Sequence, residues 1–434
     1  MRAFRLAALI VVCASCAEEA PPDLSARLDP IAEQYVRLGL ALGEHDSDYV
    51  DAYFGPPEWR QEAAARALPL ADIATAADDL IDELLALDTA GAEQLLALRH
   101  NYLLTHLRSL ATVSQVHDGL ILSFDEESRL MYGFVAPSFP VAHYDAALRA
   151  LGALLPGEGA IHDRYQVFRQ QYRIPDDKVK EVIRKGLDIC RERTRQRMAL
   201  PDGEDFALEF VTGEPWGAYN WYLGNGQGLI QVNLGRPKYL GVSIRLGCHE
   251  GYPGHHAFSA LLEERYLKGL GWIEFSMLPL FSPQGIIFEG SGNLAVDVAF
   301  PGSERTEFLH DVIAPIAGLE AADLAAAEKI QAAKRGLRYA GIEAARHYLD
   351  GDWDEEQTIE WLTTYALVGP ENIDAWFAFT ARYRAYRINY ALGEDLVREF
   401  VSARNPDGSP DGDWQAFAEL LSLPPTPALF ALER

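Results

Sequence analysis

Cysteine is scarce in this chain. The 434 residues hold four, Cys13, Cys16, Cys190 and Cys248. Two fall at the very start, so the rest of the chain is not a disulfide-stapled fold. A single Cys190–Cys248 bridge is the one pairing left, and such low cysteine use argues against it. Basic residues are outnumbered, 38 against 64 acidic, giving a formal net charge of −26. A surface of that sign repels nucleic acid and anionic lipid and favours solubility, so no nucleic-acid partner is expected. Long apolar runs are missing beyond the leader, and no later stretch approaches the ~20 residues that span a bilayer. No repeat period is evident. Hydrophobic residues at 49% allow a sizeable core, which excludes global disorder. The length suits two domains or one large helical unit.

The first residues read as a targeting signal. Arg2 and Arg5 form a basic start, 6–12 is a short apolar run, and Ala14 and Ser15 precede Cys16. The pattern resembles a bacterial lipoprotein signal over 1–16, with Cys16 as the lipidated residue, although Cys13 stands where Leu or Val is commoner. An ordinary secretory signal cut nearby is the alternative. The expected location is therefore the cell envelope, on the periplasmic side, held to the membrane by a lipid anchor at Cys16, or else secretion. Residues 17–24 read as a polar tether.

Beyond it, apolar residues recur at helical spacing over 28–42, 78–87 and 93–110, and 177–197 starts a further helix after Pro175. Residues 51–57 read as a helix end followed by a turn. The texture changes after residue 200: 207–212 alternates like a strand, and 217–234 looks like a hairpin around Asn225-Gly226. Helical signals return at Val242 and run to about Leu421, with 319–348 and 377–400 as helix-like runs and 405–413 as a surface loop. The expected organisation is a helical scaffold over 25–200 and a metal-site region with hairpin and helices over 201–434, together one continuous unit.

The chemical signal is the segment His249-Glu250-Gly251-Tyr252-Pro253-Gly254-His255-His256. Three of eleven histidines fall within eight residues, and a glutamate follows the first. Neutral imidazole is a preferred zinc ligand. A glutamate beside a zinc-bound histidine can take a proton from a metal-bound water, the logic of H-E-x-x-H on one helix face. Here the i+4 position is Pro253, which cannot ligate. On a straight helix His249 and His256 stand ~10 Å apart at ~1.5 Å per residue, whereas two nitrogens on one zinc lie within ~4 Å. The helix must therefore break, and Pro253-Gly254 is the sequence to break it. His255 is then the preferred second ligand, with His256 the alternative if the next helix starts at Pro253. A third ligand must come from elsewhere. Glu289, at the start of an apolar helix-like run, is the best candidate, and Asp297 two turns on is a candidate to orient a histidine. The cofactor expected is Zn2+, with other divalent metals compatible with the same donors. Cys248 reads as a small buried side chain, since adjacent helical residues point about 100° apart.

The motif resembles that of the bacterial family called domain of unknown function eight-eight-five, related to zinc metallopeptidases of the gluzincin type. The family pattern H-E-x-x-P-G-H-H matches 249–256 at each fixed place, and a family E-G-W-A-x-Y segment begins at Glu289-Gly290 and then departs. Arg338-Tyr339-Ala340-Gly341 looks like a family helix behind the site, and Arg382-Tyr383 and Tyr390-Ala391-Leu392-Gly393 resemble later family places. The resemblance implies a mainly α, zincin-like helical metallopeptidase architecture with a small β-sheet beside the metal helix. It also implies metal ligation by Glu289, and it favours Tyr390 and Arg382 as donors to a developing oxyanion.

On the substrate side, 229–233 is expected as an edge strand that holds an extended peptide, with Asn233 on its backbone, or else as an ordinary hairpin strand. Tyr252 is a second candidate for substrate binding. The function expected is zinc-dependent hydrolysis of peptide or related amide bonds, with Glu250 as general base. The alternative is a non-catalytic, lipid-anchored binding protein that keeps the metal as a structural staple.

Overall fold

The computed structural model describes residues 23–431, apart from 215, 320 and 321. Cys16, the leader and most of the tether lie outside the described residues. The last two tether residues do not: Asp23 caps the first helix with its side chain, and Leu24 opens it. The fold is mainly helical, as the sequence predicts, and it carries two small sheets where the sequence predicts one. Among the described residues no helix is long and apolar enough to cross a membrane.

The scaffold is built on α1 (Leu24–Gly43), α2 (Leu70–Leu85) and the long α3 (Gln94–His117). Their apolar stripes face one another: Leu28, Tyr35, Ile73, Leu80, Tyr102 and Leu107 are all buried. One hydrophobic core runs from Leu28 to Phe430 and takes in residues from both halves of the chain. A buried charge network also joins the halves. Arg99 on α3 donates to both oxygens of Glu274, at 2.6 and 3.0 Å, and to Asp29 at 2.7 Å. Burying a charge is costly unless it is paired and hydrogen-bonded, as it is here.

The 51–57 segment corrects its expectation. Val50–Tyr53 is a strand, β1, and it pairs antiparallel with β5 (Met277–Pro279). Four residues are too short to show alternation, and the partner lies more than 200 residues away. β2 (Asp205–Val211), β3 (Ala218–Gly224) and β4 (Gln227–Asn233) form the second sheet in the order β2-β4-β3. β3 and β4 are the expected hairpin, and β2 joins β4 in parallel. This places β4 in the centre, not at an edge, and β3 takes the edge position instead.

Behind the sheet lies α4 (Val179–Arg197), which backs the segment bearing His249. The two are tied covalently: Cys190 and Cys248 form a disulfide with Cα atoms 5.3 Å apart. Low cysteine use pointed the other way. The pairing arises because α4 packs directly against the next helical segment, and the 58 residues between the cysteines hide that proximity in the sequence.

Candidate metal centre

α5 (Val242–Leu246) runs into a wide π-type turn over Gly247–Gly251, and the chain then breaks at Tyr252-Pro253-Gly254. Helix α6 (His255–Leu262) starts anew with His255 at its first position. Turns of this wider kind re-aim side chains and are frequent at functional sites. The third contributor is α7 (Pro283–Ala299), a nearly all-buried helix that carries Glu289 in its second turn.

These segments bring one nitrogen from each of His249 and His255 and one oxygen of Glu289 within 4.8 Å of one another. His249 Nε2 lies 3.2 Å from Glu289 Oε2, and His255 Nε2 lies 3.9 Å from the same oxygen. Both approaches are within ion-pair reach, yet among the described residues Glu289 Oε2 has no partner with hydrogen-bond geometry. Its other oxygen accepts from Tyr386 Oη at 2.8 Å. A buried carboxylate oxygen left unsatisfied beside two imidazoles is costly unless a cation completes it. Two histidines and one carboxylate are also a donor set that zinc takes, and the widest spacing needs to close by about 1.5 Å to meet tetrahedral zinc bond lengths. The residues present therefore fit the ion.

His256 does not join them. One residue further round α6 it points about 100° away from His255, into a fully buried cluster where its Nε2 lies 3.3 Å from Glu204 Oε2. Tyr252 belongs to that same cluster: it is fully buried and donates to Glu204. It is thus a core residue rather than a substrate contact. Asn233 is spent as well. Its amide donates to the carbonyls of Glu214 and Trp216 at 2.7 and 2.9 Å, and its oxygen accepts from Gly235 N at 2.8 Å. Asp297 orients no histidine; it pairs with Arg305, Arg335 and Arg398 at 3.2, 3.4 and 2.8 Å.

The triad sits in the wall of a cleft of about 550 Å³, within the usual range for small-ligand sites. Glu250 lines this cleft beside the triad. Burial pushes its carboxyl up to about 7, with Glu289 adding to the rise against the pull of His249. Burial also pushes His255 down to about 4, and the neighbouring His249 adds to this, so His255 is neutral and free to ligate at neutral pH.

The 377–400 run is not one helix. It breaks into α8 (Ile373–Tyr383), a tight turn over Arg384–Arg387 and α9 (Ile388–Arg404), with Arg384 at φ 44°. The break separates the two oxyanion candidates. Arg382 stays outside the cleft, on the surface, paired at 2.6 Å with both Asp46 and Asp48. Tyr390, past the break, lines the cleft beside Glu289. Tyr386, one turn earlier, lines it too. Burial and then the Glu289 charge hold both phenols well above their ordinary range, so both remain donors. α7 and α9 cross closely enough for this because glycine meets glycine: a Cβ on Gly290 would lie 2.3 Å from Gly393 backbone atoms.

Sequence reasoning missed several lining residues. Asp51 reaches the cleft from β1, accepts from Tyr219, and is pushed by burial up to about 6. Arg245 stands four residues before His249, a spacing that was a signal in plain view. Tyr386 bears the same relation to Tyr390.

No protein-family model matches the chain, and no curated protein matches it. Among solved structures, a crystal structure of a candidate lipoprotein from Colwellia psychrerythraea is similar over 96% of this chain and 77% of that one, at 16% identity and a TM-score of 0.48.

Proposed function

We propose that this chain is a metal-dependent hydrolase of peptide or related amide bonds, with zinc held by His249, His255 and Glu289. The observation that carries the reading is the convergence of those three donors in the wall of a cleft that Glu250 also lines. Bound there, zinc would supply Lewis acidity and lower the pKa of a coordinated water to about 7. Three protein donors facing a cleft leave a position open to solvent and substrate, which favours catalysis over a structural staple. Glu250, whose carboxyl burial raises to about 7, acts in its ionised form to take the proton from the attacking water and hands it to the leaving amine. Tyr390 donates to the carbonyl oxygen as it gains charge, and Tyr386 holds Glu289 in place. β3 flanks the cleft and offers a sheet edge for an extended substrate. The resemblance to the family with H-E-x-x-P-G-H-H is part of this reading, as is the zincin-like architecture. Export with anchoring at Cys16 belongs to it too, and the Cys190–Cys248 disulfide suits an oxidising compartment.

Metal analysis of protein purified without added metal, paired with a Glu250→Gln variant, tests the proposal. About one zinc per chain is expected in both proteins, with turnover of a peptide library reduced by roughly 10²- to 10⁴-fold in the variant. Protein that neither retains nor takes up a divalent metal removes the reading, and unchanged turnover in the variant removes Glu250 from it.

A further inference from the structure

The cleft carries a cluster of positive charge that the proposed hydrolysis does not use. Lys238, Arg245 and Arg387 all line it, and Arg236 lines it as well. In a chain with 64 acidic and 38 basic residues, cations ordinarily find carboxylates. Here, among the described residues, no carboxylate oxygen lies within the 4.0 Å of an ion pair from Lys238, Arg245 or Arg387. Arg387 is spent on neutral partners: it donates to Thr380 Oγ1 at 2.7 Å and to the Trp376 carbonyl at 2.9 Å, and it lies over the rings of Trp376 and Phe379. Lys238 has no such outlet. It is 7% exposed, and its ammonium makes no hydrogen bond or ion pair among the described residues.

A buried ammonium left unpaired is unfavourable. Burial and then the charges of Arg236 and Arg245 push Lys238 down to about 8, so it remains mostly cationic at neutral pH and crowded by like charge. An anion entering from the cleft relieves that crowding. Arg245 stands exposed on α5, one turn before His249, and it is within electrostatic reach of Glu250 as well as of Lys238. The positive cluster therefore adjoins the reacting groups rather than some remote mouth of the cleft.

We propose that Lys238 and Arg245 form a carboxylate-binding subsite beside the metal donors, so that the substrate is a short peptide or amide presenting a carboxylate there. The word substrate rests on the hydrolase reading; the subsite itself does not. The carboxylate is either a free C-terminus or an acidic side chain, and the two sources share one recognition chemistry.

Calorimetry on the full-length Glu250→Gln protein, with and without added zinc, tests this with three probes: N-acetyl-Ala-Ala as free acid, the same dipeptide as its amide, and N-acetyl-Ala-Glu amide. The free acid is expected to bind about tenfold or more tighter than its amide, the range for a hydrogen bond to a charged group. Tight binding of the glutamyl amide instead assigns the subsite to an acidic side chain. Lys238→Met and Arg245→Gln each reduce the preference by about tenfold, and Lys238→Arg preserves it. Equal affinity for acid and both amides, or no measurable binding of any probe, overturns the proposal. So does a preference that survives both charge-removing variants. Should either variant fail to fold, the comparison of probes on the parent protein decides. A Lys238-dependent preference in a protein that hydrolyses no peptide keeps the subsite and sinks the hydrolase reading.

Discussion

Gly292 offers a selective way to disturb the proposed metal centre. It lies one turn after Glu289 on α7, and the His249 ring rests directly on it. A Cβ added there would stand 2.8 Å from Nδ1, 2.9 Å from Cε1 and 3.0 Å from Cγ of that ring. Ordinary carbon contacts begin near 3.5 Å, so the imidazole must retreat by roughly 0.5 Å, or α7 must shift and carry Glu289 with it. Metal–ligand distances tolerate only about ±0.2 Å. Overpacking of a tight site costs about 1–3 kcal/mol, and at 1.4 kcal/mol per factor of ten that is roughly a 5- to 150-fold loss of zinc affinity. Competition against a chromophoric chelator measures it. Gly341→Ala is the control, because a Cβ there meets nothing closer than 3.9 Å and alanine is the better helix former. The expected outcome is weaker zinc binding in Gly292→Ala and unchanged binding in Gly341→Ala. Zinc affinity in Gly292→Ala equal to the parent refutes the placement of His249 among the ligands.

Two further expectations concern the frame around the site. The Cys190–Cys248 bridge closes a loop of 58 residues, worth about 4 kcal/mol by the chain-entropy estimate; a Cys190→Ser/Cys248→Ser variant should show that loss in denaturant melts, and an unchanged midpoint contradicts the bridge. Glu204 sets a pH dependence: burial pushes its carboxyl up, but His256, Tyr252 and Arg195 outweigh this and bring it down to about 2. Because the folded value is depressed, its contribution is fully present above the ordinary value of 4.5 and disappears as pH falls through about 2. Glu204→Gln should therefore lose about 3 kcal/mol at neutral pH, with the gap to the parent narrowing steadily in acid; a gap independent of pH across that window refutes the ion pairing.

Parts of the site were readable in the sequence because the chemistry lies within eight residues. The segment from His249 to His256 has the donor pattern of a metal site, and Pro253-Gly254 marks the break that lets His249 and His255 both approach Glu289. The preference for His255 over His256 came from the Pro-Gly break, and it holds because α6 starts at His255: neighbouring positions on a helix differ by about 100°, so His255 faces Glu289 and His256 faces away. Arg382 looked as suitable as Tyr390 on one helix-like run, and the turn at Arg384 put them on different surfaces. Asp51 arrives on a four-residue strand whose partner is remote, so no local pattern could mark it. The disulfide escaped for a similar reason: two cysteines in a cysteine-poor chain say nothing about which helices pack together. Asn233 failed because a third strand, β2, covered the edge it was expected to occupy.

The glycine crossing of α7 and α9 has a consequence for how the site varies. Because main chain rests on main chain at Gly290 and Gly393, the approach of the helix that carries Glu289 to the helix that carries Tyr390 is set by the two backbones. Residues lining the rest of the cleft are then free to change and alter what is bound. A single methyl at the crossing must wedge the helices apart, and it would shift Glu289 and Tyr390 relative to one another.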